Sequence, residues 1–382
     1  MKDALQGILV IELGTVLTAP LAGMMLADLG ARVIKVEHPE GGDPFRRHAG
    51  RLYSPHFAAY NRGKESIALN LQSEEGKTDL RTLLQHADVL LENFRPGVMA
   101  RLGFDESTLQ QINPRLIHCS ITGFGAEGPY RDRPCYDTVA LGLSGLASLM
   151  VDPRHPGLNG PTICDNITGM YAAYGILGAL HQRQRTGKGA RVEVNMLETA
   201  VAFSPEGFAQ YTRNGTVPGP LSRVAVSQSY AFRCADERLL VVHLSSVEKF
   251  WQGFLAAIER PDLAQDERFR TPQDRTRHYT ELADVLGPIM TTRPRDEWCT
   301  RLEANDVPFA PVNNLAEVMN DPQVQQLELF YQVEHPQVGK LTAIHRPVRI
   351  DGQRGPAERA APVFREHQHA IGKEFGLRST EA

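Results

Sequence analysis

The sequence of 382 residues has few cysteines and no excess of basic charge. Its five cysteines form no C-x-x-C pair, which argues against a zinc ribbon and a disulfide framework, and we expect no bound metal. A formal net charge of -4 gives no basic stripe for a phosphate backbone, so nucleic acid is not an expected partner. The longest nearly apolar run, 140–151, is well short of the roughly 20 residues that span a bilayer, so we expect no membrane partner.

A signal peptide is also missing from the pattern. The first residues lead almost directly into a predicted strand over 7–13, without the long apolar segment that such a peptide needs. We therefore predict a cytoplasmic protein. Its 42% apolar and 23% charged residues are typical of a globular chain that buries its own core.

Short apolar runs alternate with helical patterns in the first half of the chain and predict an α/β fold with a mainly parallel sheet. Strand patterns at 7–13 and 32–37 flank a helical stretch, and Ser73 is the predicted N-cap of a helix that runs through His86. The predicted order is a large domain over 1–200, a linker over 201–217, a small α+β domain over 218–315, a returning linker over 316–349, and a last helix that returns to the first domain.

The turn after the first predicted strand, 14–20, lacks the G-x-G-x-x-G pattern with which a dinucleotide-binding fold approaches a pyrophosphate. A standard NAD site is therefore disfavoured. After the second strand come Gly41-Gly42-Asp43 and Arg46-Arg47, at the end of the sheet where open α/β folds bind ligands. On its own, this stretch predicts a plain turn with solvated charges.

Asp165 precedes an apolar helical pattern that we predict over 166–185. An aspartate at that place is most often an N-cap, whose side chain accepts a hydrogen bond from the first helical turn. The same carboxylate could instead serve as a nucleophile. The adjacent Cys164 has no nearby histidine to activate it, and we predict a buried thiol that packs like a small apolar side chain.

Several longer motifs follow one another in a fixed order. They are the segments 29–37, 41–43, 61–70, 88–97, 120–125, 136–137, 186–189, 306–313 and 321–322. Together they resemble the class III CoA-transferases, the CaiB/BaiF or formyl-CoA transferase-like family, over nearly all of 7–200 and again from 306. The resemblance implies a Rossmann-like large domain completed by about 350–382, and two subunits interlocked as a homodimer.

The resemblance also implies an acyl-CoA:carboxylate CoA-transferase in which Asp165 is the nucleophile. Its carboxylate would attack the thioester, and the CoA thiolate would return to form an aspartyl-CoA thioester. The helix N-terminus would keep the carboxylate ionised. Coenzyme A and acyl-CoA thioesters would be substrates, with no permanently bound cofactor, and the donor and acceptor would be short-chain (di)carboxylic acids.

Positions that match CoA contacts of the family can be carried over one by one. They are Val16, His38, Leu69, Gln72, Asn93, Phe94, Arg101, Tyr136 and Met196. Arg101 is the expected phosphate ligand because a guanidinium pairs with phosphate through two parallel hydrogen bonds. His38 and Gln72 stand where such enzymes have an arginine and a lysine, so the adenine and phosphate contacts must differ in detail.

Two departures from the family concern the second substrate. Leu17 replaces a glutamine of the formyl/oxalate enzymes, and 242–246 replaces their glycine-rich loop, which argues against oxalate. The candidate substrate contacts are Leu17, Tyr136, Ser245 and Ser246. Two serines after a strand are also typical of a helix cap, here for a helix that begins near 247.

Two alternatives remain open from the sequence. The α-methylacyl-CoA racemase branch of the family needs a histidine where this chain has Tyr136, and a tyrosine is a poor proton-transfer group at neutral pH. A non-catalytic CoA-binding protein is the second alternative, and the intact Asp165 argues against it.

Overall fold

The structure is a computed structural model that describes residues 4–48, 53–245, 247–354 and 359–378. These residues form a six-stranded sheet, a three-stranded sheet and a two-stranded hairpin. The strands are β1 (Leu9–Glu12), β2 (Arg32–Glu37), β3 (Glu65–Ala68), β4 (Val89–Glu92), β5 (Ile117–Thr122), β6 (Ala190–Asn195), β7 (Ser229–Arg233), β8 (Leu239–His243), β9 (Phe309–Pro311), β10 (Phe330–His335) and β11 (Gly339–Ile344).

Helices connect and cover these strands. They are α1 (Thr18–Ala27), α2 (Pro55–Asn61), α3 (Glu74–His86), α4 (Val98–Arg101), α5 (Glu106–Ile112), α6 (Asp137–Leu143), α7 (Ile163–Thr186), α8 (Met196–Phe203), α9 (Pro205–Asn214), α10 (Ser222–Val226), α11 (Glu248–Ala257), α12 (Pro272–Arg277), α13 (Tyr279–Met290), α14 (Arg295–Ala304), α15 (Leu315–Asn320), α16 (Pro322–Gln326) and α17 (Gln368–Phe375). Short 3-10 helices lie at Pro44–Arg47, Leu146–Leu149 and Pro261–Ala264.

Strands β1 to β6 form one sheet in the order β3-β2-β1-β4-β5-β6, and every neighbouring pair is parallel. In this register Val10 of β1 lies opposite Val33 of β2 and Val89 of β4. The order is that of Rossmann-like folds, and it reverses between β1 and β4, which leaves a crevice at the carboxyl ends of these strands. The predicted α/β fold with a mainly parallel sheet is confirmed.

Both faces of the sheet are apolar because helices cover each of them. Along β1, Val10 belongs to a cluster with Ala172 of α7, whereas the next residue, Ile11, belongs to a cluster with Leu83 of α3. Successive side chains of a strand point to opposite faces, so a sheet that is buried twice needs uninterrupted apolar runs. The short apolar runs of the sequence have this origin.

Local signals set the ends of several helices. Ser73 is the N-cap of α3, and its side chain accepts a hydrogen bond of 3.1 Å from the amide of Gly76, as the sequence predicted. Helix α7 ends before Gly187, whose φ of 71° belongs to the left-handed region that glycine adopts freely. These ends fix which residues α3 and α7 present to the sheet.

Helices α1 and α7 approach each other closely at Gly169. A β-carbon at this position would lie 2.8 Å from the carbonyl oxygen of Thr18 and 2.9 Å from the β-carbon of Leu21. Only glycine fits there without a shift of the two helices. The contact places the second turn of α7 next to the start of α1.

The chain divides into two compact units. One comprises 1–147, 159–205 and 328–382, and the other comprises 148–158 and 206–327. The second unit contains β7, β8 and β9 as an antiparallel sheet over a core that includes Trp251 and Trp298. The predicted domain limits remain a prediction, and the segments predicted as linkers carry helices α9, α15 and α16 and the β10–β11 hairpin.

The C-terminal segment returns to the parallel sheet. The side chain of Gln368 accepts a hydrogen bond of 2.7 Å from the amide of Ala68 and donates one of 3.2 Å to its carbonyl oxygen. These two bonds satisfy backbone groups at the outer edge of β3. In the described part of the chain, no helix has both the length and the apolarity needed to span a bilayer.

Candidate active site

A cavity of about 210 Å³ lies in the crevice at the carboxyl ends of β1, β4 and β5. Its walls come from 15–18 after β1, 93–96 after β4, 121–123 at the end of β5, and from Arg131, 133–136, Asp165 and Met196. Open α/β folds bind ligands at this point because the loops after neighbouring strands diverge there. All of these residues belong to the same compact unit.

The cavity wall formed by the turn after β1 is held in place by Asn93, which follows β4 in the sequence. Its side-chain oxygen accepts a hydrogen bond of 2.9 Å from the amide of Thr15, and its nitrogen donates to the carbonyl oxygen of Thr15 at 2.8 Å and to Oγ1 of Thr18 at 3.0 Å. The amide group of Asn93 therefore fixes the turn between β1 and α1. The predicted contact of Asn93 with CoA remains a prediction.

Val16 in the same turn has a backbone φ of 68°. This conformation is rare for a β-branched residue and costs on the order of 1–3 kcal/mol. The backbone amide of Val16 donates to the carboxylate of Asp43, at 3.2 Å from Oδ1 and 3.3 Å from Oδ2. Asp43 thus stabilises a strained residue in the cavity wall.

Asp43 and Arg46 are both buried, with exposed fractions of 1% and 0%. Asp43 lies 2.9 Å from the ammonium of Lys35, and Arg46 lies 2.7 Å from the carboxylate of Glu37. Burial alone would raise the pKa of Asp43, but the Lys35 ammonium holds it below its ordinary value. The prediction of solvated charges is wrong for Asp43 and Arg46, because partners on β2 supply the opposite charges, whereas Arg47 is exposed as predicted.

Asp165 lies in the first turn of α7 and reaches the cavity. The N-cap of this helix is Thr162, which makes no side-chain capping bond, so the prediction of Asp165 as the N-cap is wrong. The helix begins at Ile163, earlier than predicted. The backbone amide of Asp165 donates to Oδ1 of Asp137 at 3.1 Å. Asp137, at the start of α6, therefore accepts a hydrogen bond from an amide in the first turn of α7.

Burial raises the pKa of Asp165 to about 6, and the negative charge of Asp137 adds to the effect. The helix N-terminus was expected to favour the ionised carboxylate, but the net shift of its pKa is upward. Desolvation and a like charge oppose the helix dipole. A carboxylate with this higher proton affinity is still largely ionised at neutral pH and is a better nucleophile than an ordinary aspartate.

Two thiols lie close to the carboxylate but are not activated. Cys135 lines the cavity, and burial raises its pKa to about 11. Cys164 has no exposed surface, and burial raises its pKa to about 12, so the predicted buried thiol is confirmed. Both remain protonated at neutral pH, and thiolates rather than thiols are nucleophiles.

Three arginines in the cavity wall, Arg95, Arg131 and Arg133, were missed by the sequence reasoning. No ion pair within 4 Å is found for Arg95 or Arg133 among the described residues, and Arg133 lies over the ring of Tyr130 at 4.5 Å. A β-carbon on Gly97 would lie 3.2 Å from the guanidinium group of Arg101 and 3.7 Å from that of Arg131, so both groups lie close to this glycine. Such a cluster of cations attracts phosphate or carboxylate.

The cavity gathers most of the residues that the resemblance assigned. Those that line it are Val16, Leu17, Asn93, Phe94, Tyr136, Asp165 and Met196. The side chain of Tyr136 is 71% exposed, so its hydroxyl is open to a ligand. The roles of these residues remain predictions.

His38, Leu69, Gln72 and Arg101 do not line this cavity. His38, Leu69 and Gln72 follow β2 and β3, at the same edge of the sheet as the cavity. The Leu69 side chain is only 2% exposed, so a contact with CoA would have to involve its backbone. Arg101 is exposed at the end of α4, and its guanidinium group, like that of Arg131, lies close to Gly97.

Ser245 belongs to the second unit and has a backbone φ of 53°. Its amide donates to the carbonyl oxygen of Ser227 at 2.8 Å. Helix α11 has Val247 as N-cap and no side-chain capping bond, so the alternative of a serine cap is wrong for Ser245. Ser246 lies outside the described residues.

The side chains that line the cavity indicate the class of reaction that the protein can catalyse. A carboxylate of raised proton affinity lies in a cavity with three guanidinium groups, at the switch point of a Rossmann-like sheet. Among the described residues that line the cavity there is no histidine, and the nearby thiols are protonated. The chemistry that fits is acyl transfer to a carboxylate from a substrate that carries several negative charges.

Comparison with known proteins agrees with this class. Residues 5–368 match the model of CoA-transferase family III. The chain is 34% identical to the acetyl-CoA:oxalate CoA-transferase of Acetobacter aceti, covering 98% of this chain and 96% of that protein. It is also 34% identical to the succinate–glutarate CoA-transferase of Agrobacterium fabrum, covering 97% and 95%.

A solved structure gives the same result. The crystal structure of a CaiB/BaiF family protein from Brucella suis superposes with a TM-score of 0.86 at 31% identity, covering 98% of this chain and 100% of that one. The chain belongs to CoA-transferase family III and is a class III CoA-transferase.

Proposed function

We propose that this enzyme moves CoA from an acyl-CoA donor to a short-chain dicarboxylic acid through a covalent aspartyl-CoA thioester on Asp165. The observation that carries the proposal is the position of Asp165, whose carboxylate lies in the switch-point cavity with a pKa raised to about 6. A nucleophile needs both access to the substrate and proton affinity, and this carboxylate has both.

The reaction balances without a further reactant. The carboxylate of Asp165 attacks the thioester carbon, which forms a mixed anhydride and releases CoA as a thiolate. The thiolate then attacks the aspartyl carbonyl, which forms the aspartyl-CoA thioester and releases the donor acid as a carboxylate. The acceptor carboxylate repeats these two steps in reverse order and leaves with CoA, and Asp165 regains its charge.

The cationic wall fits the phosphates of CoA. Arg95, Arg131 and Arg133 line the cavity, and the guanidinium groups of Arg101 and Arg131 both lie close to Gly97. Guanidinium groups bind phosphate through paired hydrogen bonds, and the family resemblance implies this role for Arg101. We therefore extend the proposed CoA site from Arg101 to Arg131, together with Val16, Phe94, Tyr136 and Met196 as assigned by the resemblance.

The acceptor is proposed from the relatives and from one position in the cavity. The two relatives act, by their names, on oxalate and on succinate and glutarate. Leu17 lines the cavity where the formyl/oxalate enzymes have a glutamine, so its apolar side chain favours the longer acids. Succinyl-CoA with a small dicarboxylic acceptor is therefore the pair to test first.

A homodimer is proposed from the exposed apolar side chains of α6, α7 and α8. These side chains are Val139, Leu143, Met170, Tyr171, Tyr174, Leu177, Val201 and Phe203. Contiguous apolar side chains on a protein surface are typical of an interface. Light scattering should give twice the chain mass of 42.3 kDa, and a monomer would contradict this part of the proposal.

The covalent step can be tested by intact mass measurement. After incubation with succinyl-CoA and rapid acid quenching, the protein should gain the mass of CoA less one water, and peptide mapping should place it on Asp165. The exposed variant Asp152→Asn serves as a control and should form the same adduct, whereas Asp165→Asn should form none. Turnover of Asp165→Asn above a few per cent would contradict the assignment.

A further inference from the structure

The turn between β1 and α1 is held by the ion pair of Lys35 and Asp43, neither of which is among the predicted site residues. The ammonium of Lys35 donates to the carbonyl oxygen of Gly14 at 2.7 Å, and Asp43 accepts from the amide of Val16 at 3.2 Å. Lys35 and Asp43 also lie 2.9 Å apart. One ion pair therefore holds both ends of the tripeptide 14–16.

The ion pair is fixed because it is buried among further charges. Lys35 has no exposed surface, and its ammonium lies 3.0 Å from Glu12, which in turn lies 2.8 Å from Lys64. Burial alone would lower the pKa of Lys35, but Asp43 and Glu12 raise it above its ordinary value. The ammonium is therefore charged at neutral pH and holds the carboxylate of Asp43 in place.

Val16 needs support of this kind. Its φ of 68° lies in the region that β-branched residues avoid, and such a conformation persists only where the surrounding structure imposes it. The amide of Val16 is bonded to Asp43, and the amide of Thr15 is bonded to Asn93. Both amides are thus occupied by side chains, so the turn contributes shape to the cavity rather than donors for a phosphate.

We propose that Asp43 is a positioning residue for CoA transfer, because its carboxylate, held by Lys35, imposes the left-handed conformation on Val16 and so shapes the wall that receives the CoA thioester. The substrate in this statement rests on the proposed function, whereas the effect of Asp43 on the turn does not. Asp43 acts through Val16 and does not touch the reacting atoms.

The test is a double-mutant cycle between the two residues. Asp43→Asn should raise KM for the CoA thioester roughly tenfold or more with kcat little changed, because a charge-assisted bond to the turn is lost. Glycine adopts positive φ without support, so the same change should cost much less in the Val16→Gly background. Asp28→Asn is the matched control, since it removes the carboxylate of the Asp28–Arg62 ion pair at the other end of α1 and should leave KM unchanged.

Hydrogen exchange of the peptide over 13–18 provides a reading that needs no substrate. Exchange should become roughly tenfold faster or more in Asp43→Asn and stay unchanged in Asp28→Asn. Equal costs of Asp43→Asn in both backgrounds, or exchange that is unchanged in Asp43→Asn, would overturn the proposal. If the wild type transfers no CoA, the proposed function fails and the exchange measurement alone decides the role of Asp43.

Discussion

The backbone amide of Asp165 donates a hydrogen bond of 3.1 Å to the carboxylate of Asp137. Asp137 is 8% exposed and starts α6, whereas Asp165 opens to the cavity from the first turn of α7. The bond joins the two helices and sets a second negative charge beside the candidate nucleophile. Asp137 therefore holds the backbone at Asp165, and its charge adds to the effect of burial on the pKa of the Asp165 carboxylate.

The pair of Asp165 and Asp137 predicts how the activity falls at low pH, which is the acid limb of the pH profile. Because Asp165 must be ionised to attack, kcat/KM should fall as the pH drops below about 6, where burial and Asp137 hold its pKa. Asp137→Asn keeps an oxygen that accepts the amide but removes the charge, so the limb should move to lower pH. Burial remains in this variant, so the limb should stay above the ordinary value of 3.8.

Initial rates with a saturating acceptor, measured from pH 4.5 to 8, test the acid limbs of the wild type and of Asp137→Asn. The exposed control Asp152→Asn should show the limb of the wild type. An acid limb that stays in place in Asp137→Asn, or moves to higher pH, would show that the charge of Asp137 does not act on the nucleophile.

Arg131 is predicted to bind a phosphate of CoA. Arg131→Ala should raise KM for the CoA thioester roughly tenfold with kcat within about twofold, because a phosphate contact that takes no part in the reaction serves the ground state and the transition state equally. Arg131→Lys should lie between the two, since a lysine keeps the charge but loses the paired hydrogen bonds. Arg101→Ala should act in the same way as Arg131→Ala.

Arg185, exposed near the end of α7, provides a matched control for the loss of one positive charge. Arg185→Ala should leave both constants unchanged. A fall in kcat at constant KM for Arg131→Ala would place its guanidinium at the reacting group instead of a phosphate.

The racemase alternative makes an opposite prediction for proton exchange. Tyr136 stands at the position of the racemase histidine, and CoA transfer requires no departure of an α-proton. In deuterium oxide, a 2-methylacyl-CoA should therefore gain no deuterium at its α-carbon during turnover. Tyr136→Phe should lower the rate of transfer about tenfold, as expected for one oriented hydroxyl. Enzyme-dependent exchange that disappears in Asp165→Asn would instead favour the racemase.

The close approach of α1 and α7 predicts a steep cost at Gly169. Gly169→Ala would place a methyl group within 3 Å of Thr18 and Leu21, so we expect a loss of roughly 1–3 kcal/mol of unfolding free energy and a drop in turnover. Gly287→Ala in α13 is the control, because no atom lies within 4 Å of its added carbon. It should stabilise the protein by roughly 0.5–1 kcal/mol, and equal midpoints of urea unfolding for the two variants would refute the packing model.

The sequence predicted elements whose signals are local. The strand Arg32–Glu37 and the helix that follows Ser73 have the predicted limits, because a short apolar run and a capping serine are signals within a few positions. Each of these elements is decided by its own residues.

The errors concern residues whose surroundings come from distant parts of the chain. For Asp165 an N-cap was one of two interpretations, but Thr162 takes the cap, and burial together with Asp137, from another helix, raises the pKa of its carboxylate. Asp43 was expected in solvent, but Lys35 on β2 provides a buried partner. Arg131 was missed because it lies in an irregular segment, where no periodicity reveals which side chains face a cavity.

The buried charge of Asp165 has a consequence for variants selected in the laboratory. Its pKa of about 6 in the fold exceeds 3.8 in the unfolded chain, so above pH 6 the folded state carries the cost of ionisation, and below pH 4 that cost vanishes. Asp165→Asn should therefore be more stable to unfolding than the wild type at pH 8, by up to roughly 3 kcal/mol, and show no such gain at pH 4. A library sorted only for heat resistance at pH 8 would enrich inactive proteins changed at this position, so any such screen needs a parallel assay of turnover.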